Sequence, residues 1–349
     1  MNFIITLLIL IFILGLIISI HEFGHFISAK KAGVYVEEFA LGMGPVIWKS
    51  KKDKGGTTYS IRLFPIGGYV AMANEEVKGQ KLRKDQILEN KNFFIRLLVL
   101  LMGIIMNFIL CIVMLFINGL IYGVPNNTPV VGQIVEGGAA ESAGLKEGDI
   151  IKEINGAKMA TWDDVLLEIS VKKALDSYDF VVERDNSDTK LTIVPNKVTD
   201  EEGKEVNSYG IGIGSAPKTR GFINALKYGF TGFAEMCKSI TLVLINLFTG
   251  SVSVKNLSGP VGIFTVIDQV KSTGLESIIY LIAYLSVNVG IVNLLPIPVF
   301  DGGRVLLVII EKIAGKKFPK LELILNYVGF GLLILLTIFV TLNDILRLL

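Results

Sequence analysis

The chain has 349 residues, of which 51% are hydrophobic and 19% charged, and its mean hydropathy is +0.58. A soluble globular domain carries about 25% charged residues, so a single soluble domain is excluded. The net charge of +2 gives no sign of a nucleic-acid partner, and two cysteines make no disulfide framework.

The apolar excess is clustered. Residues 2–20, 97–122, 277–300 and 323–342 contain no Asp, Glu, Lys or Arg, and each is long enough for a helix to cross a bilayer core, which takes about 20 residues. In chain order, the first transmembrane helix is expected over 1–26. It is expected to be a retained helix rather than a signal peptide: nothing basic precedes it, and it runs into Ile20-His21-Glu22 rather than a small-residue cleavage site. A loop over 27–92 follows, with twelve Lys and Arg; within it 59–63 reads as a strand and 65–68 as a turn. The second transmembrane helix is expected over 93–122.

Residues 124–216 read as a soluble α+β domain. Short β-like runs occur at 130–135 and Ile150–Ile154, the latter ending in the turn signal Asn155-Gly156. Residues 162–171 have helical spacing, 180–183 and 191–194 alternate like paired strands, and 198–208 looks like a solvated loop. The stretch 217–275 is amphipathic or interfacial. Its uncharged run at 239–254 is short for a span, so it lies in the interface or re-enters. A third transmembrane segment is expected over 276–303, a basic loop over 304–322 and a fourth helix over 323–345. Loops rich in Lys and Arg stay cytoplasmic, which puts 27–92 and 304–322 on one side and 124–216 on the other. Cys111, mid-span, and Cys237 read as packing residues.

The chain has only two histidines, and they form His21-Glu22-Phe23-Gly24-His25, an H-E-x-x-H. On a helix, residues four apart project on one face, so both imidazoles reach one metal ion, and the glutamate is placed to act as general base on water. Imidazole with carboxylate suits Zn2+. An ionisable cluster at the end of a membrane span is costly unless it is paired or liganded. A hydrolytic zinc site usually takes a third protein ligand. With no histidine left, the candidate is Asp301, in Asn293-Leu294-Leu295-Pro296-Ile297-Pro298-Val299-Phe300-Asp301-Gly302-Gly303. Its prolines and glycines break the helix, and broken backbone at membrane depth is tolerated where it lines a cavity. Glu311 and Asp344 are rivals, each expected where ordinary solvation explains it.

These motifs resemble the site-2 protease family of intramembrane zinc metalloproteases, and within it the bacterial RseP-like branch. The resemblance covers nearly the whole chain: H-E-x-x-H on the first span, a PDZ-like insertion after the second, and N-x-x-P-x-P-x-x-D-G in the third. Phe300 stands where the family has Leu, which alters packing and leaves the aspartate in place. The resemblance implies a multi-pass α-helical membrane protein of about four transmembrane helices, with a membrane-associated β-hairpin region and an inserted α+β PDZ-like domain. It implies His21, His25 and Asp301 as zinc ligands and Glu22 as the base. Asn293, with Pro296 and Pro298 around the helix break, would help bind substrate, as would Ile61, Gly67 and Gly68 of the hairpin. Tyr209, Gly210, Ile211 and Gly212 would form the peptide-binding strand of the PDZ-like domain. The implied activity is intramembrane cleavage of single-span proteins or peptides, pre-trimmed by another protease. Trimmed anti-sigma factors, remnant signal peptides and peptide pheromone precursors all suit it. The implied location is a bacterial cell membrane, with the active site near the cytoplasmic face and the PDZ-like domain outside. A catalytically inactive scaffold presenting the PDZ-like domain is the alternative; an ion transporter is a third reading, without the inverted repeats it would be expected to show.

Overall fold

Backbone in lipid must satisfy its own hydrogen bonds, and an uncharged, proline-free run does so as a helix. In the computed structural model, which describes residues 2–73, 82–126, 128–171, 175–199, 205–213, 216–249 and 259–348, the first helix is α1 (Asn2–Lys31). It runs past the expected end at residue 26 because no helix breaker intervenes before Gly33, at φ 71°. Lys30 and Lys31 close its last turn, where cations complement the helix dipole. The chain divides into two units, Met1–Ile121 with Ala225–Leu349, and Tyr122–Asn224.

After α1 come β1 (Val36–Lys49) and β2 (Thr58–Met72). Their pairing is more elaborate than one strand and one turn. Residues 38–41 pair on one side with 68–71, running opposite (Glu38 with Ala71, Leu41 with Gly68). On the other side they pair with 58–61, running alongside (Glu38 with Thr58, Leu41 with Ile61). The far half of β1 folds back over β2, with Met43 opposite Phe64 and Lys49 opposite Ser60. In space the segments follow the order 43–49, 58–64, 36–41, 67–72, so 67–72 is an edge. The bends fall at Gly42 and Gly67, with φ of 86° and 91°, and a side chain at Gly42 would meet the Phe64 carbonyl at 2.6 Å. The Glu38 carboxylate accepts from Ser60 (2.5 Å), Arg62 (2.9 Å) and Tyr69 (2.8 Å), which tie the inner strand to both neighbours. Burial alone would raise this carboxyl, but the three donors outweigh it and hold it below the usual range. Next is α2 (Phe93–Tyr122), whose first turn is capped by Asn92 Oδ1 accepting from the Ile95 N–H at 2.9 Å.

The second unit holds β3 (Val124–Asn126), β4 (Val131–Ile134), α3 (Ala139–Ser142), β5 (Ile150–Ile154), β6 (Ala157–Lys158), α4 (Trp162–Val171), β7 (Tyr178–Arg184), β8 (Ser187–Ile193), β9 (Asn196–Thr199), β10 (Glu205–Ser208), β11 (Ile211–Ile213) and β12 (Ala216–Thr219). Strands β6, β5, β7 and β8 form one sheet in that order; β4 pairs with β11, β9 with β10, and β3 with β12. Alternate residues Tyr178, Phe180 and Val182 of β7 point into a core with Ile151, Ile154, Trp162, Val165 and Ile193. Of the stretch 198–208, expected to be a solvated loop, residues 200–204 lie outside the described residues, and those flanking them are paired, Val198 with Val206 and Thr199 with Glu205. That cross-strand pairing is invisible in local composition.

Asp149 is buried at 2% exposure and takes two bonds from Arg184, whose guanidinium also reaches the Gly144 carbonyl. Burial would raise the Asp149 carboxyl, but Arg184 and the Lys146 N–H hold it below its usual range. Arg184→Ala is expected to destabilise this unit by about 2–3 kcal/mol, because it strands a buried carboxylate while the partner it removes is partly solvated. Hydrogen exchange of the β5 and β7 amides measures it. A depressed carboxylate stabilises above its unfolded pKa of about 3.9. This contribution is therefore intact at neutral pH and fades as pH falls through the folded value.

The remaining helices are α5 (Phe222–Phe248), α6 (Pro260–Val270), α7 (Leu275–Leu294), α8 (Asp301–Ala314) and α9 (Pro319–Leu348). Five of the described helices are long and apolar enough to cross a membrane, where four were expected: α1, α2, α5, α7 and α9. The addition is α5. Lys227, Glu235 and Lys238 interrupt its apolar run in sequence without interrupting the helix. It lies antiparallel along α2: a side chain at Gly229 would meet Ile112 and Phe116, and Met236 touches the buried Cys111, sulfur to sulfur at 3.9 Å. Of the run 239–254, residues 250–254 lie outside the described residues. The segment 304–322, expected as a loop, is helical to Ala314 and stops at Gly315, φ 67°. Ile13 and Ile17 of α1 pack with Leu110 of α2, Ile267 of α6 and Leu281, Ile282 and Leu285 of α7. This cluster fixes α1, α2 and α7 around the site.

Candidate metal centre

α1 presents His21 and His25 on one face, both buried (7% and 6% exposed). Asp301 reaches them from the first turn of α8, where the loop with Pro296 and Pro298 has ended α7. His21 Nε2 lies 2.9 Å from Asp301 Oδ2, His25 Nε2 lies 3.2 Å from the same oxygen, and the two Nε2 atoms are 3.2 Å apart. Tetrahedral ligands at zinc–nitrogen and zinc–oxygen distances of about 2.0–2.1 Å stand about 3.3 Å from one another. Among the described residues this is a group of three able to hold a metal ion.

Two further observations test the fit. His25 Nδ1 donates to the Val99 carbonyl at 2.8 Å, which in the neutral ring leaves Nε2 as a bare lone pair facing the Asp301 carboxylate oxygen at 3.2 Å. Such a convergence repels unless a cation sits within it. The second observation is Gly103 of α2. A Cβ there would lie 2.5 Å from His25 Nε2 and 2.8 Å from His21 Nε2, so any side chain would fill the space the donors face. The residues fit a zinc ion.

A cavity of about 280 Å³ opens on this group, lined also by Glu22, Val70, Met72, Asn293 and Arg304. Gly68, on the edge segment 67–72, lies beside Glu22: a side chain there would come within 3.6 Å of Glu22 Cγ. Ile61 belongs to an inner segment paired on both sides, with Leu41 and with Trp48. It therefore offers no free edge, contrary to expectation, and the edge lies at Gly67 and Gly68 instead. Pro296 and Pro298 do not line the cavity. Pro296 is exposed, and Pro298 packs where side chains at Gly303 and Gly329 would go, so they shape the loop that delivers Asp301. In the other unit, Tyr209, Gly210, Ile211 and Gly212 lead into β11. The Tyr209 and Gly210 carbonyls accept from Ala140 and Val135, and Ile211 pairs with Ile134 of β4.

The rival carboxylates are not solvated, as the sequence suggested. Glu311 is buried against Arg96 (2.8 Å) and the Phe318 N–H. Asp344 accepts from the N–H groups of Gly259 and Gly262, both at 2.8 Å, at the start of α6. Both are thereby committed to structural partners. Sequence reasoning missed Gly103 and Asn107. Asn107 is fully buried, with its side-chain nitrogen 3.3 Å from His21 Nδ1. The signal was present: an amide in the middle of an uncharged membrane run.

Paired imidazoles from one membrane helix and a carboxylate at the start of α8, just past the break that ends a second membrane helix, mark an integral-membrane metallohydrolase. Sequence comparison makes this specific: the chain belongs to peptidase family M50, whose model matches residues 9–336. It is 35% identical to the Regulator of sigma-W protease RasP of Bacillus subtilis, with 99% of both chains covered. It is 34% identical to the zinc metalloprotease RasP of Bacillus licheniformis and 32% to that of Oceanobacillus iheyensis, covering 98% of this chain and 99% of the relative in each case. The chain is a zinc metalloprotease, and its cofactor is Zn2+.

Proposed function

We propose that the chain cleaves single-span membrane proteins or peptides within the bilayer or at its edge, with His21, His25 and Asp301 holding zinc and Glu22 acting as general base. The observation that carries this reading is the convergence of three donor atoms at 2.9–3.2 Å in a cavity that Glu22 also lines. Zinc bound there lowers the pKa of water and polarises a carbonyl. Glu22 takes the proton of a water in the cavity and returns it to the leaving amine. Asn293, on the same cavity, offers an amide N–H to a substrate carbonyl. A helical substrate hides its carbonyls in its own hydrogen bonds and must unwind before attack. The edge segment 67–72 suits that need, since an extended peptide can add to it as a further strand. Met43, Val46, Ile47, Trp48, Leu63 and Phe64 of the hairpin are exposed, which suits a surface covered by lipid.

The substrate class we favour is a trimmed anti-sigma factor, a reading supported by the name of the Bacillus subtilis relative. Tyr122–Asn224 acts as a PDZ-like module that admits or binds trimmed substrates, with Tyr209–Gly210–Ile211–Gly212 as its peptide-binding strand. The basic stretches at 27–92 and 304–322 face the cytoplasm of a bacterial cell. This requires that α5 enters beside α2 without crossing. Asp301→Asn tests the ligand set. An amide oxygen is a weaker zinc ligand than a carboxylate, so the purified chain is expected to fall from stoichiometric zinc to a small fraction of it, measured by elemental analysis. Full zinc content would assign the third ligand elsewhere.

A further inference from the structure

We propose that Asn107 is a positioning residue for the metal, its side-chain oxygen accepting the Nδ1 proton of His21 and so aiming the Nε2 lone pair at zinc. This rests on His21 being a ligand. In the structure the Asn107 amide nitrogen faces His21 Nδ1 at 3.3 Å, and the amide oxygen is buried with no partner among the described residues. In that orientation Nδ1 is the acceptor, which puts the ring proton on Nε2. Nε2 is the atom 2.9 Å from Asp301 and 3.2 Å from His25 Nε2, so the proton would stand where the metal must.

An amide's oxygen and nitrogen exchange places by a half-turn that leaves the shape of the side chain unchanged. After it, Oδ1 accepts from Nδ1–H and Nε2 is bare. The position vacated by Oδ1 has no partner for either atom, so His21 alone decides the orientation. His25 is treated in the same way by the Val99 carbonyl. Val99, Gly103 and Asn107 follow one another at four-residue spacing along α2 and form one stripe toward the histidine pair. The stripe is held in place from the other side, where Ser286 Oγ of α7 donates to the Asn107 carbonyl at 2.9 Å. Partners of this kind orient a ligating histidine and raise its basicity.

The test uses the full chain purified in detergent, with zinc affinity read by competition against a chromophoric chelator and geometry by the visible spectrum of the Co2+-substituted protein. Asn107→Leu keeps the size and removes the acceptor; Asn107→Asp keeps the acceptor. The Leu variant is expected to bind zinc about 10–100-fold more weakly, with an altered Co2+ spectrum, and the Asp variant to stay within about threefold of the parent. Asn107→Ala serves if the Leu variant does not fold. Parent-like affinity without the acceptor, or equal losses with Asp and Leu, would overturn the proposal. A parent chain that binds no stoichiometric zinc would instead overturn the ligand assignment beneath it.

Discussion

Glu22→Gln is expected to abolish cleavage of a single-span reporter while leaving zinc content unchanged. Glutamine keeps the shape and the acceptor oxygen of glutamate but cannot take a proton. A positioned general base contributes roughly 10²–10⁴-fold, and here no substitute stands nearby. Among the described residues lining the cavity, Glu22 and Asp301 are the carboxylates, and Asp301 is already engaged with both histidines. The measurement is reporter cleavage in membranes with zinc determined on the same preparation. Cleavage at the parent rate would remove Glu22 from the chemistry. Loss of zinc together with activity would mean that Glu22 holds the site together instead. The result also separates the protease from an inactive scaffold, in which Gln at this position would change nothing.

The legibility of this site followed the range of the physics behind each part. His21 and His25 were readable because helical periodicity is local: four residues fix one face whatever the rest of the chain does. Asp301 was readable for a second local reason, the prolines and glycines that interrupt an otherwise uncharged run. Asn107 and Gly103 belong to the same centre, yet they lie in a run where every position is apolar or neutral. Periodicity there says that a span exists and is silent on which side of it faces the histidines. The double pairing of 38–41 was hidden for a similar reason. Strand register is set by partners remote in sequence and by glycine bends, so a segment with one apparent turn became a sheet with its edge at Gly67–Met72, and Ile61 fell on the inside. Glu311 and Asp344 misled in the opposite way. Their places, in the loop expected over 304–322 and at the end of the fourth helix, suggested solvent, while their partners, Arg96 and the start of α6, arrive from elements 215 and 82–85 residues away (311 − 96; 344 − 262; 344 − 259).

Gly103→Ala is the second variant expected to remove activity, by a route that involves no chemical group at all. One methyl would sit 2.5 Å from His25 Nε2 and 2.8 Å from both Cε1 and Nε2 of His21, well inside contact distance. Neither ring can yield freely. His25 is tied to the Val99 carbonyl and His21 to Asp301, and moving either takes its lone pair off the common point. Nor can α2 recede cheaply, because Ser286 of α7 holds it at Asn107 and receding would open the close backbone packing of α1 at Gly24 against Met102 of α2. Zinc affinity and cleavage are therefore expected to fall together by about 10²-fold or more, since displacements near 1 Å at a reacting centre cost that much. Gly331→Ala in α9 is the control. Nothing lies within 4 Å of the added methyl, and alanine in a helix is favoured over glycine by about 1 kcal/mol, so zinc and activity should match the parent. If Gly103→Ala kept both, α2 would be free to back away, and the close approach of its backbone would be a packing feature of the helices with no part in shaping the metal centre.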